Sequence, residues 1–124
     1  MPVTLAVALG GAVGSVARYG LDRLIERKSD SVFPWATFTI NITGCLLIGV
    51  AVAALVDRHH LPAWARVGVV VGVLGGYTTF STFGQETLDL IQEGRTPLAL
   101  TYAVGSVGIG VVAVLAGTAV GRHL

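Results

Sequence analysis

Charge is what this 124-residue chain has least of: Asp, Glu, Lys and Arg together make up only 12% of it, against about 25% in an ordinary soluble domain. With 53% hydrophobic residues and a mean hydropathy of +0.77, that shortage excludes a typical soluble globular protein. Neither sign of charge dominates, since eight basic residues face seven acidic ones for a net charge of +1. The chain thus offers no basic field to nucleic acid and no polybasic anchor to anionic lipid. It has one cysteine, Cys45, set in an apolar run; no intrachain disulfide is possible, and the thiol reads as a small packing group. A secretory signal peptide is not expected either, because no basic side chain precedes the first apolar run and Arg18 follows it. The N-terminus is expected to be a retained helix. No phosphate-binding loop, nucleophile elbow, HExxH motif or paired-carboxylate arrangement occurs, so catalysis has no candidate residues and no enzyme is expected.

What the chain has in abundance is long apolar runs. A bilayer core about 30 Å thick is crossed by about 20 helical residues, and four stretches qualify: about 3–21, 33–55, 63–90 and 97–120. Asp22 to Ser31, Asp57 to Leu61 and Ile91 to Thr96 read as short polar connections that leave no room for a soluble domain. The expectation is an all-α integral membrane protein, a single four-helix transmembrane domain over residues 1–124. Pro34, Pro62 and Pro97 each fall near the start of a span, where a missing N–H costs little. Gly10, Gly14 and Arg18 in the first span, and Gly68, Gly72 and Gly76 in the third, recur every four residues. Glycines spaced in this way form packing faces of a tight bundle.

The basic residues barely specify an orientation. One side of the membrane would hold Arg58, Arg66 and Arg122, and the other Arg23, Arg27, Lys28 and Arg95. So small a bias favours insertion in both senses, and two opposed copies would form an antiparallel homodimer, a one-chain version of an inverted repeat.

The third span contains Gly75, Gly76, Tyr77, Thr78, Thr79, Phe80, Ser81, Thr82 and Phe83. Glycine pairs and β-branched threonines disfavour helix, so the helix is expected to break near its middle; a continuous helix with hydroxyls bonded one turn back is the alternative. Irregular backbone at membrane depth persists only when buried in protein or lining a cavity, where its carbonyls can hold a cation. Phe80 and Phe83 are three apart and share a face if helix resumes, with Ser81 and Thr82 turned elsewhere. Their ring edges are electropositive and could receive an anion, although aromatic pairs at this spacing also serve as ordinary packing. In the second span Thr37, Asn41 and Cys45 lie at intervals of four. The Asn41 amide can donate to an anion or glue helices together. Tyr102, Ser106 and Gly110 form a similar row in the fourth span. Glu86 is placed either at a pore mouth or as a water-facing carboxylate, and Arg18 either at the interface or paired with Asp22. His59 and His60 adjoin in a loop without a ligand cluster, and no metal role is assigned to them.

These residues resemble the Fluc family of fluoride channels, four-helix proteins that assemble as antiparallel dual-topology dimers. The match runs the length of the chain: GGAVGSVARY from Gly10 to Tyr19, NITGCLLIG from Asn41 to Gly49, and GGYTTFSTF from Gly75 to Phe83, the last being the specific one. The resemblance implies passive export of cytoplasmic fluoride across the cell membrane. It further implies a structural sodium ion at the dimer centre, held by the backbone carbonyls of Gly75 and Thr78. Along the fluoride path it puts Asn41 as a donor, Phe80 and Phe83 as ring edges, and Ser81, Thr82, Tyr102, Ser106 and, more weakly, Glu86, with Arg18 structural. Tyr77 departs from the apolar residue expected there, so its hydroxyl must find a partner. Two rival readings stand beside this one: a proton-coupled small multidrug-type transporter, for which only Glu86 could carry the proton, and a non-transporting membrane assembly subunit.

Overall fold

The computed structural model describes residues 1–57 and 61–124. Arg58, His59 and His60, which entered the orientation and metal readings above, lie outside the described residues. The described chain is helical, and four helical stretches are long and apolar enough to cross a membrane: Val3–Lys28, Trp35–Val56, Ala63–Gln92 and Thr96–His123.

Helix α1, Val3–Lys28, runs a full two turns past the expected end of the first span. The stretch from Asp22 to Lys28, expected as a polar connection, is helix. Its Leu, Glu, Arg and Lys are good helix formers, Arg27 and Lys28 lie in the last turn where they complement the helix dipole, and Arg23 and Glu26 approach to 4.0 Å. Only 29–34 remains as the loop. Helix α2 covers Trp35–Val56, and its last turns, Val52–Val56, widen to π-helix. The third span begins with helix α3, residues 63–77, whose middle, Gly68–Leu74, is also π-helical. Helical backbone ends at Tyr77, Thr78 is extended (φ −80°, ψ 162°), and helix α4 takes over at Ser81 and continues to Gln92. Gly94, at φ 78°, makes the tight turn into helix α5, Thr96–His123, which has Pro97 in its first turn.

Glycines decide how the helices pair. On α1, a methyl at Gly10 would meet the Gly68 carbonyl and come within 3.0 Å of the Val73 amide, and one at Gly14 would stand 2.8 Å from the Tyr77 amide. On α3, a methyl at Gly76 would lie 2.7 Å from the Gly11 carbonyl oxygen. Backbone thus touches backbone along the whole α1–α3 seam. A second seam joins α2 to α5, where methyls at Gly49 and Gly117 would come within 2.8 Å of the Thr118 amide and 3.1 Å of the Val50 amide. In a bilayer, close van der Waals packing of this kind holds helices together, because lipid gives no hydrophobic drive for them to associate. Beside these seams a small core of Leu90, Ala99 and Tyr102, bordered by Phe33, Phe38, Phe83 and Leu98, fastens α4 to α5. The outward faces are apolar: Val16, Val104 and Leu115 are all exposed.

Candidate ion pathway

The joint between α3 and α4 organises the site. A helix end leaves its last carbonyls without intrahelical donors, and here each finds a different answer. The Leu74 carbonyl takes both the Thr78 N–H at 3.1 Å and the Thr78 hydroxyl at 3.0 Å. The Gly76 carbonyl takes Arg18 Nε at 3.2 Å, so Arg18 turns to the C-terminal end of α3 instead of to Asp22 or the interface. Thr79 is clamped from α2: Asn41 Nδ2 donates to its carbonyl at 2.9 Å, and its N–H donates to Asn41 Oδ1 at 2.9 Å. Asn41 pairs with this residue as a neighbouring strand would. One N–H of its NH₂ group is left over.

The start of α4 is secured by Thr79 too, whose Oγ1 accepts the Thr82 N–H at 3.4 Å and donates to Thr82 Oγ1 at 3.0 Å. That fixes the direction in which Phe80 and Phe83 leave the helix. Their ring centroids are 5.9 Å apart at an interplanar angle of 41°. Tyr77, just before the joint, finds its partner in Thr43 at 2.8 Å. Because the Thr43 hydroxyl proton goes to the Thr39 carbonyl at 2.7 Å, the Tyr77 hydroxyl is the donor of the pair.

Asn41, Gly75, Thr78, Phe80, Phe83 and Ser106 all line one cavity of about 340 Å³, together with Gly44, Cys45 and the Thr79 joint. Its polar groups are neutral, and Ser106 Oγ is buried with no hydrogen-bond partner among the described residues. An unpaired buried hydroxyl is costly unless something enters to meet it. Phe80 is 83% exposed within the single chain, so this wall of the cavity faces outward.

Tyr102, Glu86, Ser81, Thr82 and Arg18 do not line that cavity. Tyr102 lies fully buried behind Phe83, its ring 5.0 Å from the Phe83 ring and 5.4 Å edge-on from Phe33. Its hydroxyl donates to Glu86 Oε2 at 3.1 Å, and Thr37 Oγ1 donates to Glu86 Oε1 at 2.5 Å. Glu86 is therefore a partly buried, hydrogen-bonded carboxylate. It also borders a second cavity of about 240 Å³ at the end of the bundle, formed by the last turns of α1, the 29–34 loop and the first turn of α2. Phe83, Tyr102 and Glu86 thus form a wall between an inner and an outer chamber. Ser81 and Thr82 are exposed.

Two participants carry more than the sequence reading gave them. Thr37 was placed only on the Asn41 face, yet it is buried and ties down Glu86; its position one turn before Asn41 was the available signal. Thr79 was read as a helix breaker, and nothing local marks it as the residue that Asn41 grips.

Residues 5–118 match the family described as CrcB-like protein, Camphor Resistance (CrcB). Curated relatives named fluoride-specific ion channel FluC are similar over almost their whole length. That of Nitrobacter winogradskyi is 48% identical over 118 residues, 95% of this chain and 94% of its own. That of Phocaeicola vulgatus is 44% identical over 117 residues, 94% of this chain and 96% of its own. That of Acidobacterium capsulatum is 45% identical over 122 residues, 97% of this chain and 96% of its own. With matches of this extent, and four helices able to cross a membrane, the chain is a multi-pass membrane protein that belongs to the CrcB-like family.

Proposed function

We propose that this chain is a passive, fluoride-specific ion channel that lets fluoride leave the cytoplasm through the cell membrane. The observation that carries this reading is the inner cavity, where a spare Asn41 N–H, the unpaired Ser106 hydroxyl and the Phe80 and Phe83 rings converge without any full positive charge. Neutral donors and ring edges can replace part of an anion's hydration shell yet still release it, whereas a fixed cation would hold it. Fluoride is small and strongly hydrated, so several donors at close range are needed. Hydrogen fluoride enters cells as the neutral acid and ionises in a near-neutral cytoplasm, which gives a passive anion path its purpose.

The working unit in this reading is an antiparallel, dual-topology homodimer with the third span acting as a broken helix. Support comes from the near-even distribution of basic residues, from the exposed Phe80 wall and from Gly75, beside which a methyl would meet nothing within 4 Å. A second copy would close that open face. A structural sodium ion at the two-fold axis, held by the Gly75 and Thr78 carbonyls of both copies, belongs to the same proposal. The residues present fit such an ion. Both amides that could reach Gly75 from its own turn are committed elsewhere, Thr78 N–H to Leu74 and Thr79 N–H to Asn41; extended Thr78 turns its own carbonyl out of the helical direction. Unclaimed carbonyls are hard oxygen ligands suited to such a cation. When bound, the ion would neutralise facing carbonyl dipoles and fasten the two joints together.

The proton-coupled rival needs a free membrane carboxylate, and both oxygens of Glu86 are engaged by hydroxyls. Fluoride-electrode recording of efflux from liposomes containing the purified protein tests the proposal. Rapid electrogenic fluoride release is expected, with chloride release far slower. Equal passage of both anions, or none of either, rejects it.

A further inference from the structure

We infer that Asn41 is a positioning residue for the cation site: by taking the Thr79 N–H on its own Oδ1, it keeps the Gly75 carbonyl out of the helix and free to bind an ion. In an uninterrupted α-helix the N–H of residue 79 would donate to the carbonyl of residue 75. Here that N–H is 2.9 Å from Asn41 Oδ1 instead, and the neighbouring Thr78 N–H is spent on Leu74. Asn41 Nδ2 closes the pair on the Thr79 carbonyl at 2.9 Å, which rules out the flipped amide because each end then faces its complementary group. Held at two points, Thr79 cannot rejoin the helix. The Gly75 carbonyl is released as a consequence, and a methyl-free Gly75 leaves its surroundings open. Asn41 therefore links the wall of the inner cavity to the joint between the subunits. One side chain sets both the anion path and the ion that holds the dimer.

The inference rests on the sodium ion proposed above, and fluoride flux alone cannot test it, since Asn41 also lines the path. The measurement is the unfolding temperature of the purified dimer as sodium is titrated, with N-methyl-D-glucamine keeping the ionic strength constant. Asn41→Leu is similar in size but cannot hold the Thr79 N–H, which returns to Gly75. The sodium concentration at half-response is then expected to rise by about tenfold or more, as a lost ligand requires. Asn41→Asp still accepts the Thr79 N–H, so its half-response concentration is expected at or below the parent's. A merely structural Asn41 would lower the unfolding temperature equally at every sodium concentration and leave the half-response unmoved.

If the parent shows no sodium response, the sodium proposal fails and takes this inference with it. If the parent responds and Asn41→Leu keeps the parent's half-response concentration, the inference alone is overturned. Where Asn41→Leu yields no dimer, Asn41→Ala decides, since it too cannot accept the Thr79 N–H: a raised half-response supports the positioning role, and an unmoved one overturns it.

Discussion

Tyr102 in α5 donates its hydroxyl to Glu86 Oε2 at 3.1 Å, although the two side chains come from different helices and the ring of Tyr102 is simultaneously packed on Phe83 at 5.0 Å. The carboxylate is thereby joined to the wall of the inner cavity through one aromatic residue. Thr37 binds the other carboxylate oxygen from α2, so Glu86 brings three helices to a point.

That convergence predicts coupling between Thr37 and Tyr102, which act on the same carboxylate. Tyr102→Phe and Thr37→Val keep shape and delete one hydroxyl each, and each is expected to cost about 1–3 kcal/mol because a partly buried charged oxygen loses its partner. The double variant should depart from additivity by about 0.5–3 kcal/mol. Reversible unfolding of the four proteins in detergent measures the cycle. Strict additivity would mean that Glu86 does not join the two.

Glu86→Gln keeps the size of the side chain and removes its capacity to carry a proton. In a passive channel fluoride efflux from liposomes should persist, since no step requires that proton to move. Complete loss of transport from a well-folded Glu86→Gln protein would instead favour the proton-coupled rival.

Two adjacent glycines should respond in opposite ways. Gly10→Ala drives a methyl against the Gly68 carbonyl and the Val73 amide, and backbone cannot yield as a side-chain tip can. Gly11→Ala meets nothing nearer than the Gly72 carbonyl oxygen at 4.0 Å and gains helix propensity, about 0.8–1 kcal/mol by peptide scales. Gel filtration and unfolding temperature should show a collapsed or poorly expressed Gly10→Ala protein beside a normal Gly11→Ala one. Equal tolerance of both would contradict the close α1–α3 seam.

Four spanning helices were legible in the sequence because composition alone dictates them, and their ends moved little: Trp35–Val56 against 33–55, and Thr96–His123 against 97–120. The larger error, Asp22 to Lys28, came from equating polar with non-helical, when a polar run of good helix formers simply carries a helix out of the membrane. Helical backbone stops at Tyr77, within the glycine-threonine run, and Thr78 is extended. Partnerships were another matter. Arg18 with Gly76, Glu86 with Thr37 and Tyr77 with Thr43 span 34 to 58 residues of chain, and spacing along one helix says nothing about which face of another it meets. Asn41 was read as an amide that either donates to an anion or glues helices together, and spacing could not say that both ends of it meet Thr79 with one N–H left over.

Orientation in the membrane can be tested directly. Three basic residues on one side against four on the other should let the chain insert both ways. A C-terminal tag should therefore be accessible from both faces of the membrane. Adding two or three lysines to the 29–34 loop should force one orientation and abolish fluoride efflux, and co-expression with an oppositely biased variant should restore it. A tag reached from one side only would remove the antiparallel dimer.

Phe80 and Phe83 give the sharpest separation of an anion path from mere packing, because the two rings are so differently supported within the chain. Phe83 borders the Leu90, Ala99 and Tyr102 core, while Phe80 is 83% exposed and among the described residues its only ring partner is Phe83. Replacing each by Ile keeps apolar bulk and deletes the electropositive edge. If the rings only pack, Phe83→Ile should lower stability by about 0.5–1.5 kcal/mol and Phe80→Ile should change little in this chain. An anion that travels along the ring edges makes a different demand, for then both variants must lose most fluoride efflux, including the one whose packing is hardly touched. Gel filtration establishes whether the proposed dimer persists, and the fluoride electrode then reads the flux. Phe80→Ile is the decisive arm: dimers of this variant that pass fluoride as fast as the parent would leave the exposed ring without a part in permeation and return the inner cavity to packing alone.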